Sequence, residues 1–313
     1  HLITTATEHV SVLNVFKELE KWGFEVTYLP VDEFGRVTAD QVIKAIRTET
    51  ILVSVIFASN EIGTINPIKD IGRAIVQNRA LHNKGFPYFH TDAAQAFPHL
   101  KINADNLSID LMSFSSNKMY GPKGAAALYI KHGVKIEPVM LGGSQENGWR
   151  PGTQDVSGIV GFAEAVKINQ AEGFTEDEQL KLWCDKIIKE VQSALPDVLL
   201  NGPPPQKATE GRSHPQERLA NNISFAIPSV KAEELVAAMD LAGFAISTRS
   251  ACDAKNPTPP HVIKAIGRSD EAAWGTVRVT LGRFTTVGDI DQFIGTFINE
   301  IKKLNINTQM NRR

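Results

Sequence analysis

The fold is decided by a short run of sequence, I-L-V-S-V-I-F-A at residues 51–58. Apart from one serine, this run is apolar throughout and rich in β-branched side chains, which is typical of a strand buried on both faces. Strands of that kind occur in parallel sheets that are covered by helices on each side. The run therefore predicts an α/β fold built on a mostly parallel sheet.

Helical and strand patterns alternate on both sides of this run. Thr5 and Glu8 have the spacing of a capping box, which predicts a first helix that ends at Gly23. A second Thr-x-x-Gln opening predicts a helix over 38–46, and a third helix is expected over 68–82. Further strands are predicted at 24–31, 86–91, 111–115 and 125–130. This alternation is that of a large domain with helices packed on a parallel sheet.

The second half of the chain has a different pattern. A long helical stretch is predicted over 156–195, with an interruption near Gly173. After a Pro- and Gly-rich loop at 201–214, strands and helices follow in a smaller α+β arrangement. The predicted strands are 222–226, 244–247 and 276–281, and the predicted helices are 232–241, one near Val262, and 287–304. We therefore divide the chain into a large domain, 1–165, and a smaller C-terminal domain, 166–313.

Composition excludes several classes of protein. The 313 residues carry 33 basic and 35 acidic side chains, interspersed along the chain, which is not the charge of a nucleic-acid-binding or membrane-surface protein. The sequence contains no apolar stretch of about 20 residues that could span a bilayer. The only cysteines, Cys184 and Cys252, lie far apart, which argues for a reducing compartment rather than a disulfide framework.

Polar side chains follow three of the predicted strands. Asn60 comes after the first run, Asp92 and Gln95 after the strand at 86–91, and Ser115 and Lys118 after the strand at 111–115. Ligands of open α/β sheets bind at the carboxyl ends of the strands. A carboxylate for a ring nitrogen, amides for a phenolic oxygen and a lysine for an aldehyde together match the requirements of pyridoxal 5'-phosphate.

Each of these residues also has an ordinary interpretation. Asp92 alone could be the N-cap of a helix, and Asn60 alone could be a turn residue. Lys118 alone could be a solvated surface lysine. Their joint position at successive strand ends is what favours a cofactor site. We predict no metal site.

Eight segments carry a resemblance to a known family. They are A-T-E-H-V-S-V around His9, S-N-E-I-G around Asn60, H-T-D-A-A-Q around Asp92, L-M-S-F-S-S-N-K-M-Y-G-P-K-G around Lys118, L-G-G-S-Q-E-N-G-W-R-P-G-T ending at Thr153, N-N-I-S-F near Asn222, S-T-R-S-A-C ending at Cys252 and V-R-V-T-L-G-R-F-T-T around Arg278. In this order and at this spacing the chain resembles the cysteine desulfurases, which are pyridoxal-phosphate enzymes of aminotransferase class V. The resemblance covers nearly the whole chain.

The resemblance implies a fold type I pyridoxal-phosphate-dependent transferase and a role for each matching residue. Lys118 would hold the cofactor as a Schiff base and move protons at the substrate α-carbon, with His9 stacked on the ring and assisting proton transfer. Asp92 would face the ring nitrogen. The remaining cofactor contacts would come from Asn60, Gln95, Ser115, Asn117 and, across a homodimer, Thr153. Arg278 would clamp the substrate carboxylate with Asn60 nearby, whereas Arg283 is expected to play a structural part.

Cys252 separates the desulfurases from their relatives. The resemblance implies that it takes sulfur from L-cysteine as a persulfide and leaves L-alanine. It lies in a small, polar segment seven residues before Pro259, as in the longer-loop, NifS/IscS-like branch that delivers sulfur to scaffold proteins. Cys184, within a helical pattern, is expected to be a buried, inert thiol.

Three departures from the family pattern stand out. Asn117 occupies the place of a histidine that usually precedes the lysine, and Arg249 stands where the family has a small residue. The family's glycine-rich phosphate cradle at a helix N-terminus lies upstream of His9 and is absent. Since the sequence opens on His1 rather than Met, we expect a chain that lacks its N-terminal segment.

The leading prediction is a cysteine desulfurase that serves iron–sulfur cluster or thio-cofactor biosynthesis. One alternative is a selenocysteine lyase or another class V lyase. A second alternative is an inactive or partner-dependent protein with the same fold. The expected partners are L-cysteine, a sulfur-acceptor or scaffold protein and a second copy of the chain, in the cytoplasm or in an organelle matrix.

Overall fold

The computed structural model describes residues 1–205, 217–248 and 258–311. Its first half forms a six-stranded sheet in the order β2-β1-β3-β4-β5-β6. The strands are β1 (Leu2–Thr5), β2 (Val26–Leu29), β3 (Leu52–Ser54), β4 (Tyr88–Asp92), β5 (Leu111–Ser115) and β6 (Ala126–Ile130). All neighbouring pairs are parallel except β5 and β6, which run antiparallel. The predicted α/β fold with a mostly parallel sheet is therefore confirmed.

Three helices accompany this sheet: α1 (Val10–Lys21), α2 (Ala39–Ala45) and α3 (Ile68–Leu81). The core contains Val53 and Phe89 from the sheet, Val42 from α2 and Ile71 from α3, all with no exposed surface. Burial of each such side chain contributes about 1.5–3 kcal/mol to folding. The apolar run at 51–58 thus lies where its pattern predicts, although only its residues Leu52–Ser54 form ladder pairs.

The second half forms a three-stranded antiparallel sheet in the order β7-β8-β9, made of β7 (Leu199–Leu200), β8 (Asn222–Ala226) and β9 (Thr276–Thr280). Among the described residues of this half there are five α-helices: α4 (Val156–Ala194), α5 (Ala232–Leu241), α6 (His261–Ala265), α7 (Asp270–Trp274) and α8 (Val287–Asn311). Side chains of α4, α5 and α8 pack with β8 and β9 around Phe225 and Phe297. Within the described residues, no helix combines the length and the apolar character that a membrane span requires.

The predicted start of the first helix is wrong. Residues 2–5 form β1, and α1 begins only at Val10, with His9 as its N-cap. Thr5 and Glu8 do contact each other, but Thr5 Oγ1 donates to the Glu8 carboxylate at 2.8 Å rather than capping a helix. At Thr38 the prediction is confirmed, because Thr38 and Gln41 form a reciprocal capping box before α2.

Two further predictions fail in the second half. Helix α4 continues through Gly173, which is buried within it, and a Cβ atom there would approach Asn169 Nδ2 to 2.7 Å. A glycine at a close approach costs helix propensity without ending the helix. Residues 244–247 form no strand; only a single bridge joins Ser247 to Arg278.

Candidate active site

Four parallel strands bring predicted site residues to one edge of the large sheet. The carboxyl end of β1 leads to His9, that of β3 leads to Asn60, β4 ends at Asp92, and β5 ends at Ser115. Parallel register places these strand ends at the same edge. The edge thus gathers an imidazole, an amide, a carboxylate and a hydroxyl on neighbouring segments.

Lys118 lies in a turn of 3₁₀-helix, Ser116–Met119, directly after β5. Met119 is buried against α4, and Tyr120 closes the turn with a left-handed backbone (φ 63°). Gly121 must be a glycine, because a Cβ atom there would lie 2.1 Å from Ser116 Oγ. The turn is therefore anchored on both sides of Lys118, whose own side chain is exposed.

Asp92 uses only part of its hydrogen-bonding capacity within the protein. Its Oδ1 accepts a hydrogen bond from the Ala94 amide at 2.9 Å, as an N-cap residue would. No described residue donates a hydrogen bond to Oδ2, and the residue is only half-buried. One carboxylate oxygen is thus left for a cationic partner.

His9 lies among the charges of this edge. Its Nδ1 lies 2.8 Å from Ser11 Oγ and accepts from the Ser11 amide at 3.3 Å. Burial lowers the pKa of the His9 imidazole, the Asp92 charge opposes this shift, and Lys118 and then His261 lower the pKa further. Three separate segments therefore act electrostatically on His9, which favours its neutral form at neutral pH.

Arg278 connects the small sheet to this edge. From β9, its Nη1 donates to the Asn60 carbonyl oxygen at 3.2 Å, and Asn222 Nδ2 donates to the same oxygen at 3.1 Å. Burial lowers the pKa of the Arg278 guanidinium, and the charge of Glu61 opposes the shift. The guanidinium stays charged and keeps further N–H donors for a ligand.

The remaining predicted residues vary in how closely they join this group. Ser115 Oγ donates to Asn117 Oδ1 at 2.6 Å, beside Lys118. Gln95 is half-buried and follows β4 by three residues. Thr153 is exposed, shortly before α4, and makes no hydrogen bond with another described residue. Within a single chain, Thr153 is therefore not linked by a hydrogen bond to the other predicted site residues that the structure describes.

The two cysteines differ in what can be said of them. Cys252, together with Arg249, lies outside the described residues. Cys184 is buried in α4, and burial raises the pKa of its thiol to about 12. A thiol with that pKa stays protonated, in agreement with an inert role for Cys184.

Three titratable side chains near the site were given no role by the sequence. Glu8 is fully buried and contacts Thr5 and the Ile56 amide. His261 Nε2 lies 2.9 Å from the Glu8 carbonyl oxygen. His90 bridges Ser54 and Ser113 across three strands, and burial lowers its pKa to about 4. The signal at Glu8 was its position directly before His9 and after a strand, which the capping-box spacing obscured.

Comparison with known proteins gives consistent matches. The profile of the aminotransferase class-V family matches residues 1–293. Cysteine desulfurase IscS of Dictyoglomus turgidum is 43% identical over 304 residues, which cover 97% of this chain and 73% of that protein. A solved structure titled NifS-like protein has a TM-score of 0.81 at 31% identity, with 96% of this chain and 75% of that chain covered. A second structure, titled SspA in complex with cysteine, has a TM-score of 0.70 at 35% identity, with 91% and 74% covered.

Proposed function

The chain belongs to the aminotransferase class-V family, and from this premise we propose that it is a pyridoxal-phosphate-dependent cysteine desulfurase. It converts L-cysteine to L-alanine and retains the sulfur on Cys252 for iron–sulfur cluster or thio-cofactor biosynthesis. The proposal is supported above all by one observation: the charges of Asp92 and Lys118 both act on His9 at the carboxyl edge of the sheet. A carboxylate, a lysine and a neutral imidazole at one strand edge suit proton transfer at a substrate carbon.

The residues at this edge fit pyridoxal 5'-phosphate. Asp92 has an oxygen without a hydrogen bond from a described residue, Lys118 has an exposed amine, and Ser115 and Asn117 present polar groups beside it. Asp92 would face the ring nitrogen, Lys118 the aldehyde, Asn60 and Gln95 the phenolic oxygen, and Ser115 with Asn117 the phosphate. When bound, this cofactor supplies an electron sink that weakens bonds at the substrate carbons.

The protein's own groups then position cysteine and move protons. Arg278 binds the substrate carboxylate through donors that its contact with the Asn60 carbonyl leaves available. Lys118 takes and returns the proton at the substrate α-carbon, and neutral His9 assists by accepting or donating a proton. The low pKa of His9 keeps it in the form that can accept a proton.

Cys252 receives the sulfur. Its thiolate attacks the substrate sulfur, an S–S bond forms as the bond from sulfur to the β-carbon breaks, and that carbon takes a proton. The products are alanine and a persulfide, so atoms and electrons balance without an added oxidant. A sulfur-acceptor protein then removes the terminal sulfur.

The two-domain division at residue 165 is part of the proposal. The start of α4, through Phe162 and Ala165, packs on Met119 beside the lysine turn. From Leu180 onward the same helix packs in the core of the small sheet. Helix α4 therefore changes partners over its length, which supports a boundary inside it.

A homodimer is also proposed. Val139 and Leu141 are 98% and 90% exposed, and Val156 and Val160 at the start of α4 are 66% and 62% exposed. Four strongly exposed apolar side chains within residues 139–160 support an interaction surface in this segment. Thr153 lies within this segment, which supports its reaching the site of a second copy.

The test is sulfur release from L-cysteine by the purified chain supplied with pyridoxal phosphate. Equal amounts of alanine and sulfide should form in the presence of a thiol reductant. Lys118→Ala should abolish both products, and Cys252→Ala should abolish sulfur transfer. Lys123→Ala, an exposed lysine five residues away, and Cys184→Ala are the matched controls. Sulfide release that is unchanged in Cys252→Ala would exclude the persulfide role, and a wild-type chain that stays colourless with the cofactor would favour an inactive protein.

A further inference from the structure

Glu8 is a buried carboxyl group to which the mechanism above gives no role. It lies between β1 and α1, directly before His9, and has no exposed surface. Its Oε1 accepts hydrogen bonds from Thr5 Oγ1 at 2.8 Å and from the Ile56 amide at 2.7 Å. Its Oε2 is buried and has no hydrogen-bond partner among the described residues.

The surroundings of Glu8 favour its protonated form. Burial raises the pKa of this carboxyl group to about 8, although the hydrogen bonds from Ile56 and Thr5 act to lower it. The charge of Asp92 at the end of β4 adds to the rise. The titratable groups on adjoining segments are His9, His261 at the start of α6, and Lys118, which acts on His9. Since Oε1 already accepts two hydrogen bonds, the proton belongs on Oε2.

Three segments that carry or adjoin site residues are joined at Glu8. Its side chain ties the β1–α1 connection to Ile56, on the segment that leads from β3 to Asn60. Its backbone carbonyl contacts His261 Nε2 at 2.9 Å. The next residue, His9, caps α1. Movement of Glu8 would therefore move His9 relative to Asn60.

We propose that Glu8, as a neutral acid, is a positioning residue of this site. It fixes the backbone that presents His9 and keeps a second carboxylate charge away from Asp92. An ionised Glu8 would place two negative charges near each other in a buried region, which disfavours the ionised Asp92 that the reaction needs. The proposal rests on the proposed function, but its consequence for His9 does not depend on turnover.

The experiment compares Glu8→Gln and Glu8→Ala with the unsubstituted protein. Glutamine keeps an oxygen acceptor for Thr5 and Ile56 and cannot ionise, whereas alanine removes both contacts. The first measurement is the pKa of His9, which is obtained by NMR titration of its imidazole without added cofactor. Glu8→Ala should return the His9 pKa toward its ordinary value, because water gains access to the ring, and Glu8→Gln should keep it low.

The second measurement is the pH profile of kcat/KM for L-cysteine with pyridoxal phosphate bound. Glu8→Ala should lose about tenfold or more at pH 7, as expected when a hydrogen bond that holds a site is removed. In the wild type, ionisation of Glu8 should produce a decline of kcat/KM near pH 8. Glu8→Gln should recover most of the loss seen in Glu8→Ala and should lack this decline. Asp110→Asn, which changes a buried carboxyl at the opposite end of the sheet, should alter neither the His9 pKa nor the shape of the profile.

The results that overturn the proposal are distinct from failure of the desulfurase assignment. If Glu8→Gln is as impaired as Glu8→Ala, or keeps the wild-type alkaline decline, Glu8 does not act as a neutral acid. If Glu8→Ala leaves the His9 pKa low, Glu8 does not position His9. A chain that releases no sulfur in any variant refutes the proposed function, while the His9 titration still decides the role of Glu8.

Discussion

The two ends of the large sheet treat buried carboxyl groups in opposite ways. At the amino end, Asp110 directly precedes β5 and is paired with Arg79, with side chains only 5% and 16% exposed. The amide of Phe89 adds a hydrogen bond to Asp110 at 2.8 Å. At the carboxyl end, no cationic side chain of the described residues forms an ion pair with Glu8, and Asp92 has an oxygen that receives no hydrogen bond from those residues.

The difference indicates that the buried carboxyl group at the amino end of the sheet serves stability, whereas those at the carboxyl end serve function. A buried charge with its partner and its hydrogen bonds in place serves the fold. A buried polar group without a partner costs about 1–3 kcal/mol, and such groups in native proteins call for a functional explanation. The two ends therefore predict opposite responses to mutation: loss of stability at one end and loss of chemistry at the other.

Asp92→Asn should have the largest effect and should act on chemistry alone. The asparagine keeps an oxygen for the Ala94 amide, so the fold should persist, but the negative charge that we propose to face the ring nitrogen of the cofactor is lost. We expect kcat for cysteine to fall on the order of a thousandfold, the scale at which loss of an electrostatic group acts on a reaction. Steady-state kinetics and urea unfolding, with the exposed Asp105→Asn as control, measure the two responses. If Asp92→Asn keeps the wild-type kcat, the charge of Asp92 does not serve the reaction, and the proposed difference between the two ends of the sheet is wrong.

Asp110→Asn should show the reverse pattern. The Arg79 guanidinium would stay buried without a counter-charge, which costs about 3 kcal/mol of stability. Urea denaturation should show this loss, while kcat/KM of the folded fraction stays unchanged. Adding Arg79→Met in the same chain should restore part of the stability, since no unpaired charge then remains. If the double variant is less stable than Asp110→Asn alone, charge pairing is not what Asp110 contributes.

The sequence predicts elements well where the local pattern and the tertiary environment agree. The predicted bounds of β5, β8 and α5 match the structure. In β8 the whole predicted strand is buried, and in α5 the buried residues recur at helical spacing, so the local pattern and the environment agree. The strand β1 was missed because the Thr5–Glu8 spacing suggested a helix start. The pattern predicts a break at Gly173, but α4 continues through it, because the packing of the helix on both sides of this residue outweighs the low helix propensity of one glycine.

The candidate site, like the fold, could be predicted from the sequence only in part. Strand ends can be located from the sequence, so Asn60, Asp92, Ser115 and Lys118 were predicted from position alone, whereas the roles of His9, Arg278 and Cys252 came from resemblance. The contact between His261 and Glu8 joins residues 253 positions apart, and Arg278 and Asn60 are 218 apart. Such pairs depend on how the two halves of the chain pack, which hydrophobic periodicity does not specify.

Arg278→Lys should have an intermediate effect on substrate binding. A lysine keeps the positive charge but lacks the planar fork that binds a carboxylate through two hydrogen bonds while a third donor holds the Asn60 carbonyl. We expect the KM for cysteine to rise about tenfold or more, with a smaller change in kcat. The control is Arg47→Lys, because Arg47 pairs with Glu25, which directly precedes β2 at the amino end of the large sheet. An equal rise in KM in both variants would argue against a specific carboxylate clamp.

Glu8→Gln should have the smallest effect, visible in how stability depends on pH. In the folded chain the pKa of Glu8 is about 8 against an ordinary value of 4.5, so the folded state holds a proton that the unfolded chain has released between these values. Stability from Glu8 is therefore complete below about pH 4.5 and declines by about 1.4 kcal/mol per pH unit until pH 8.

The contribution of His90 to stability changes with pH in the opposite direction to that of Glu8, which determines the pH range in which the Glu8 effect is measured. Its pKa falls from 6.5 to about 4, so its contribution to stability rises with pH over that interval and offsets the decline from Glu8. The pKa of His9 is lowered as well, and its contribution to stability has the same sign as that of His90. Above pH 6.5 these two histidines no longer offset the decline from Glu8, which amounts to about 2 kcal/mol by pH 8. Urea denaturation at pH 6.5 and pH 8 should show this loss in the wild type and in the exposed control Glu33→Gln, but not in Glu8→Gln. If Glu8→Gln keeps the full decline, Glu8 is ionised in the folded protein, and the carboxyl end of the sheet holds its charges much as the amino end does.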